Sequence, residues 1–98
     1  MRVEIDGRKI GSVAEFHREI AAALDFGPYY GANLDALWDR LYRDVPRPVR
    51  LIWTHASHSR EALGERDFGR IVDLINKVVA YDIRDNESDR FEFEMTVD

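Results

Sequence analysis

The chain contains no cysteine, which excludes disulfides and thiolate-ligated metal centres. It has no apolar run near the roughly 20 residues that a membrane span requires. Its opening stretch, MRVEIDGRKIG, lacks the apolar centre of a secretion signal. There are no internal repeats, no low-complexity tract and no linker long enough to separate domains. An excess of positive charge is absent too: the formal net charge is −5, which argues against general or direct binding of nucleic acid. What remains is a soluble, cytoplasmic chain forming one domain over residues 1–98, with 45% hydrophobic and 34% charged residues.

The charge is unevenly placed. Residues 82–98 carry seven acids, Asp82, Asp85, Glu87, Asp89, Glu92, Glu94 and Asp98, against Arg84 and Arg90. Residues 1–81 carry twelve charges of each sign and sum to zero. Any acidity that serves a partner over most of the chain must therefore be local.

RVEIDG alternates apolar and polar residues and then turns at Asp6-Gly7, which predicts a first strand. Ser12 followed by Glu15 is a capping box, and Val13, Phe16, Ile20, Ala23 and Leu24 repeat at helical spacing behind it. Gly27 and Pro28 stop that helix. Asn33 then caps a second helix that runs to about Asp44, before Pro46 and Pro48. VRLIW predicts a strand buried on both faces. One or two helices follow, with a break near Gly64 and the last spanning about Asp67 to Ala80. RFEFEMTV closes the chain as an alternating strand with one face apolar and one acidic, expected at a sheet edge, where its acidic face discourages edge pairing. The order β-α-α-β-α-α-β predicts an α/β fold: a small three-stranded parallel sheet packed against helices by right-handed crossovers.

One segment, PYYGANLDALWDRLYRDV, does not follow the usual division of labour between an apolar core face and a Lys/Glu solvent face. On a helical wheel at about 100° per residue, Leu34, Leu37, Leu41 and Val45 form a core stripe, with Trp38 on its border. Asp35, Asp39 and Tyr42 form a second stripe beside it, Arg40 points away from it and Arg43 flanks it. Asp35 suits the helix dipole in the first turn. Asp39 is a poor mid-helix residue, and Asp35 with Asp39 is a like-charge i,i+4 pair that costs a few tenths of a kcal/mol. Arg43 could offset part of that cost. The residues alone leave two readings open: an ordinary solvated face, or a binding face whose local conflicts mark function. Tyr29, Tyr30 and Gly31 immediately before the helix weigh toward the second, because interface hot spots favour such aromatics; at least one tyrosine is expected to act as a lid on the core.

YYGANLDALWDRL resembles the barstar family of intracellular ribonuclease inhibitors. The opening IDGRKIGSVAEFHREIAAAL and the P-x-x-L-x-W pattern of the second strand resemble the family in the same order and spacing. The likeness is good over residues 1–54 and weak over 55–98. It implies the same three-stranded parallel sheet, no catalytic activity, no cofactor or metal, and a basic ribonuclease or nuclease toxin as partner. It further implies that this loop and helix cover the nuclease active site, with Asp39 in the place of the RNA phosphate. Tyr29, Asn33, Asp35 and Trp38 match the family's other contact positions, and Tyr30, Gly31, Tyr42 and Arg43 adjoin them. A cleft of Arg, Lys and His built for phosphate also takes a rigidly held carboxylate. The chain departs from the family at Tyr42–Asp44, where Arg43 would face a basic enzyme. It departs again on the last helix, where Lys77 stands in place of an acid and Asp73 is the nearest substitute. A monomer before binding is expected.

The remaining constellations are weak. His55 and His58 are spaced to share a metal ion but lack a third ligand, and His17 is distant in sequence. Ser57 and Ser59 near His58 have no nucleophile elbow. Asp35 and Asp39 as a general acid–base pair would need pocket residues that a convex helix face does not supply. Beside inhibition of a ribonuclease, the alternative is an immunity or regulatory module of the same fold that binds a different toxin or nuclease.

Overall fold

A computed structural model of the chain describes residues 1–85 and 88–98. Strands β1 (Arg2–Asp6), β2 (Val49–Thr54) and β3 (Phe91–Met95) form a single parallel sheet in the order β1-β2-β3. In register, Val3 sits beside Leu51, and Leu51 beside Phe93. The central strand is buried on both faces, as its apolar run predicts: Leu51 and Trp53 point one way, Ile52 the other, and none exceeds 2% exposure. β3 alternates as expected, with Phe91 buried and Glu92 and Glu94 exposed, but Met95 at its end is open.

Four helices cover the sheet: α1 (Val13–Leu24), α2 (Leu34–Asp39), α3 (Ala56–Leu63) and α4 (Glu65–Asp85). Ser12 caps α1 by accepting a hydrogen bond from the Glu15 amide at 3.1 Å, while the Glu15 carboxylate accepts from the Gly11 amide at 3.0 Å. Phe16, Ile20 and Leu24 form its buried stripe. Val13 was expected in that stripe but is left 37% exposed in the first turn, where it lines a shallow cleft with His17 and Tyr30. A 3-10 turn (Gly7–Lys9) after β1 is capped by Asp6, whose carboxyl is held down at about 2 chiefly by its hydrogen bonds with Arg8. Gly7 is required there, because a Cβ would lie 2.2 Å from the His55 carbonyl oxygen.

Two features depart from the sequence reading. The second helix reaches Asp44, but its last turn (Arg40–Asp44) is π-wound, with the Val45 amide donating to the Arg40 carbonyl. Arg47 explains this ending: its guanidinium donates to the carbonyls of Leu41 at 2.6 Å and Val45 at 2.7 Å, which regular helix continuation would otherwise occupy. Among the described residues no ion pair forms between Arg43 and Asp39; Arg40 pairs with Asp44 at 3.8 Å. The second departure is α4, which runs five residues beyond its expected end. Asp82, which the composition groups with an acidic tail, is buried there and binds Arg47 through both oxygens at 2.7 and 3.0 Å. It also accepts the Phe91 amide at 2.7 Å, tying α4 to the start of β3. Glu87 lies outside the described residues.

The serines near His58 are structural. Ser59 is fully buried, accepts from the Trp53 indole N–H and donates to the Gly7 carbonyl at 2.8 Å. Ser57 donates to the Val97 carbonyl. No described helix is long and apolar enough to cross a membrane.

Candidate partner-binding face

The segment between α1 and α2 is shaped by backbone geometry. Asp25 (φ 56°) and Gly27 (φ 79°) take left-handed conformations that end α1 and turn the chain, and Ala32 (φ 53°) does the same just before α2. The two tyrosines then part. Tyr30 turns inward, packs on Phe26 at 4.8 Å between centroids, and shares a 2.6 Å hydrogen bond with Nδ1 of the buried His17. Burial pushes the Tyr30 hydroxyl up to about 12 and the His17 imidazole down from its ordinary value. Tyr30 is thus the expected core lid. Tyr29 is 90% exposed. A fully exposed tyrosine beside an anchored one is held on a fixed stem with its whole ring free for a partner.

Asn33 caps α2 as its sequence position predicts, its side-chain oxygen accepting from the Ala36 amide at 2.8 Å. Gly31 packs closely against this cap: an added Cβ would stand 3.3 Å from that of Ala36. Leu37 and Leu41 are fully buried and fix the rotation of the helix. That rotation leaves Asp35 and Asp39 exposed, and neither makes an ion pair or hydrogen bond among the described residues. Two carboxylates on a core-anchored scaffold are thereby held without a local partner.

Trp38 and Tyr42 stack at 5.2 Å, and both meet Tyr81 of α4 edge-on, at 5.3 and 6.0 Å. The Tyr42 hydroxyl donates to Asp85 at 2.6 Å. That bond raises the Tyr42 pKa, while Asp85 is lowered first by Arg84 and then by Tyr42. Arg84 also lies 4.6 Å over the Tyr81 ring. The aromatic wall beside Asp39 therefore belongs to both helices. Sequence reasoning named Trp38 and Tyr42 but missed Tyr81, Arg84 and Asp85. An aromatic followed three and four residues later by charges near a helix end was the available signal.

On the other flank, α2 and α4 enclose an open groove of about 460 Å³ lined by Leu34, Asp35, Trp38, Arg70, Asp73, Leu74 and Lys77. Asp35 consequently does not stand on a bare convex surface, which corrects the sequence expectation. Asp73 and Lys77 both join this rim, together with Arg70, which was not singled out. Arg43 is exposed on the π turn. The structure thus gathers Asp35, Trp38, Asp73 and Lys77 around one groove and sets Tyr42 beside Trp38, while Tyr30 is engaged in the core. Among the described residues no group of three or more His, Asp or Glu side chains could hold a metal ion.

The scaffold is a small parallel α/β fold that leaves two carboxylates, Asp35 and Asp39, and one tyrosine, Tyr29, exposed on one short helix and the loop before it. Comparison with known proteins gives this scaffold a family. The model of the Barstar family, described as Barstar (barnase inhibitor), matches residues 1–97, and the chain belongs to this family. The match continues through the second half, where the resemblance in sequence was weak. The family is one of inhibitors, not enzymes. A relative in Bacillus subtilis (strain 168), named "Putative ribonuclease inhibitor YrdF", is 40% identical over 63 residues, which cover 64% of this chain and 69% of YrdF.

Proposed function

We propose that this protein inhibits a bacterial ribonuclease in the cytoplasm by laying the Tyr29–Tyr42 loop and helix over the enzyme's active site. Asp39 enters the phosphate pocket and takes the charge-assisted hydrogen bonds that the RNA phosphate would receive. Asp35 and Asn33 contact the rim, and Tyr29 and Trp38 supply packed area. Gly31 permits the close turn between them, and Tyr30 holds the loop from below. The observation that carries this reading is the pair Asp35 and Asp39, exposed and unpaired on a helix whose opposite side, Leu37 and Leu41, is fully buried. The helix backbone beneath the carboxylate is already fixed by Leu37 and Leu41, so only side-chain rotation is lost on binding, and this favours affinity.

The family membership supports a ribonuclease as the target, and the name of the Bacillus relative points the same way. The direct experiment is inhibition of RNA cleavage by barnase, titrated with the purified chain at fixed salt. Stoichiometric inhibition is expected. Full barnase activity at excess protein would reject barnase-type enzymes as the target.

A second reading is favoured by one observation: Arg43, Arg70 and Lys77 are exposed cations on or beside the same face. An immunity module directed at a different nuclease toxin would carry such charges. Binding to a panel of basic bacterial nucleases that excludes barnase types separates the two readings.

A further inference from the structure

The groove between α2 and α4 carries four charges of alternating sign. On α4, Arg70, Asp73 and Lys77 follow one another at three and four residues, so all three point along one face, which spans about 10 Å. Asp35 faces them from α2. The spacing suits internal pairing: Asp73 precedes Lys77 by four residues, the favoured order for a helix ion pair. Yet none of the four makes a hydrogen bond or an ion pair within 4.0 Å among the described residues. Leu34, Trp38 and Leu74 form the groove's apolar lining between them. The groove's net charge is zero, so it adds nothing to the attraction that Asp39 exerts on a basic enzyme. Against a rim that is basic throughout, Arg70 and Lys77 oppose what Asp35 and Asp73 favour.

We propose that Arg70 and Lys77 are specificity-determining residues that receive a carboxylate side chain from the rim of the nuclease active site. The partner so defined has a basic phosphate pocket opposite Asp39 and at least one Asp or Glu bordering it on the α4 side. Charge complementarity of this kind sets partner choice through opposed like charges as much as through attraction. The inference rests on the proposed inhibitory role and deepens it by stating the chemistry of the partner.

The test uses barnase as the probe, together with single variants in which each Arg or Lys around its active-site rim is changed to Glu. Affinities of the parent chain, Lys77→Glu and Arg70→Glu are measured for each. The expected result is crossed: the Glu variants bind unmodified barnase at least tenfold more tightly than the parent does, and the parent prefers one acidic-rim barnase by a similar factor. That preference disappears in Lys77→Ala. Affinities within twofold of the parent throughout, or no binding by any pair, overturn the role of the groove. Asp39→Ala reads the underlying proposal separately. If it binds every barnase as the parent does, the active-site reading fails. If it loses binding while charge reversal in the groove has no effect, only the groove assignment fails.

Discussion

Asp39 and Asp82 are the same residue in opposite circumstances. Asp82 is 6% exposed, binds the Arg47 guanidinium through both oxygens and accepts a backbone amide. Asp39 is exposed and makes no bond among the described residues. Asp82 holds the end of α4, the π turn and the start of β3 together; Asp39 contributes nothing visible to the fold. An acid inside a satisfied network belongs to stability, and an acid on a fixed helix with nothing to bind is available to a partner. Net charge by region hides this difference, since Asp82 lies in the strongly acidic segment and Asp39 in the neutral one.

The comparison breaks first at Asp82. Asp82→Ala takes from the largely buried Arg47 guanidinium its only carboxylate among the described residues and leaves the Phe91 amide without its acceptor, and breaking a buried pair in this way costs about 3–5 kcal/mol. Urea unfolding should show that loss, while the protein that remains folded keeps its affinity for its target. A change under 1 kcal/mol would mean that Arg47 finds other acceptors and that the network is not structural.

Next in size is Gly7→Ala, where the new methyl meets the His55 carbonyl and the β2–α3 junction must move. A loss of about 1–3 kcal/mol in unfolding free energy is expected. Tyr30→Phe should cost less, about 1 kcal/mol, by removing the hydrogen bond to His17. Tyr29→Ala sharpens the contrast between the two tyrosines: stability should stay within about 0.5 kcal/mol of the parent, and the loss should appear in target binding.

His17 adds a pH signature under the same loop. Its folded-state pKa lies below the ordinary 6.5 because burial disfavours the charged ring. The unfolded chain therefore binds more protons near that pH, and stability rises with pH. The contribution is complete above pH 6.5 and declines as pH falls through the lowered folded value. His17→Gln should flatten this part of the stability profile in thermal unfolding measured across the range.

Much of the fold was legible because its signals are local. The alternation of RVEID and RFEFE, the continuous apolar run VRLIW, the Ser12 and Asn33 caps and the break at Gly64 each depend on neighbours in sequence. Within the site, Asp35, Trp38 and Asp39 were visible as departures from an ordinary amphipathic helix. The rest depends on residues far apart in the chain. Arg47 and Asp82 are 35 residues apart, and Tyr42 and Asp85 are 43 apart. No periodicity announces such pairs, so the π turn and the extra length of α4 could not be read, and the spacing of Tyr81 with Arg84 and Asp85 did not by itself place them beside Trp38 and Tyr42. The groove was hidden for the same reason: its charges lie on two helices whose approach only the packed structure sets.

The measurement that tests the account most directly is barnase binding and urea unfolding for the parent and Asp39→Ala side by side at one salt concentration. An inhibitor–ribonuclease complex of this family is a known case of a dominant interface hot spot. The expected result is a loss of about 2 kcal/mol or more in binding, with unfolding free energy unchanged within about 0.5 kcal/mol. Equal binding by parent and variant, or a loss of stability that accounts for the loss of binding, would contradict it.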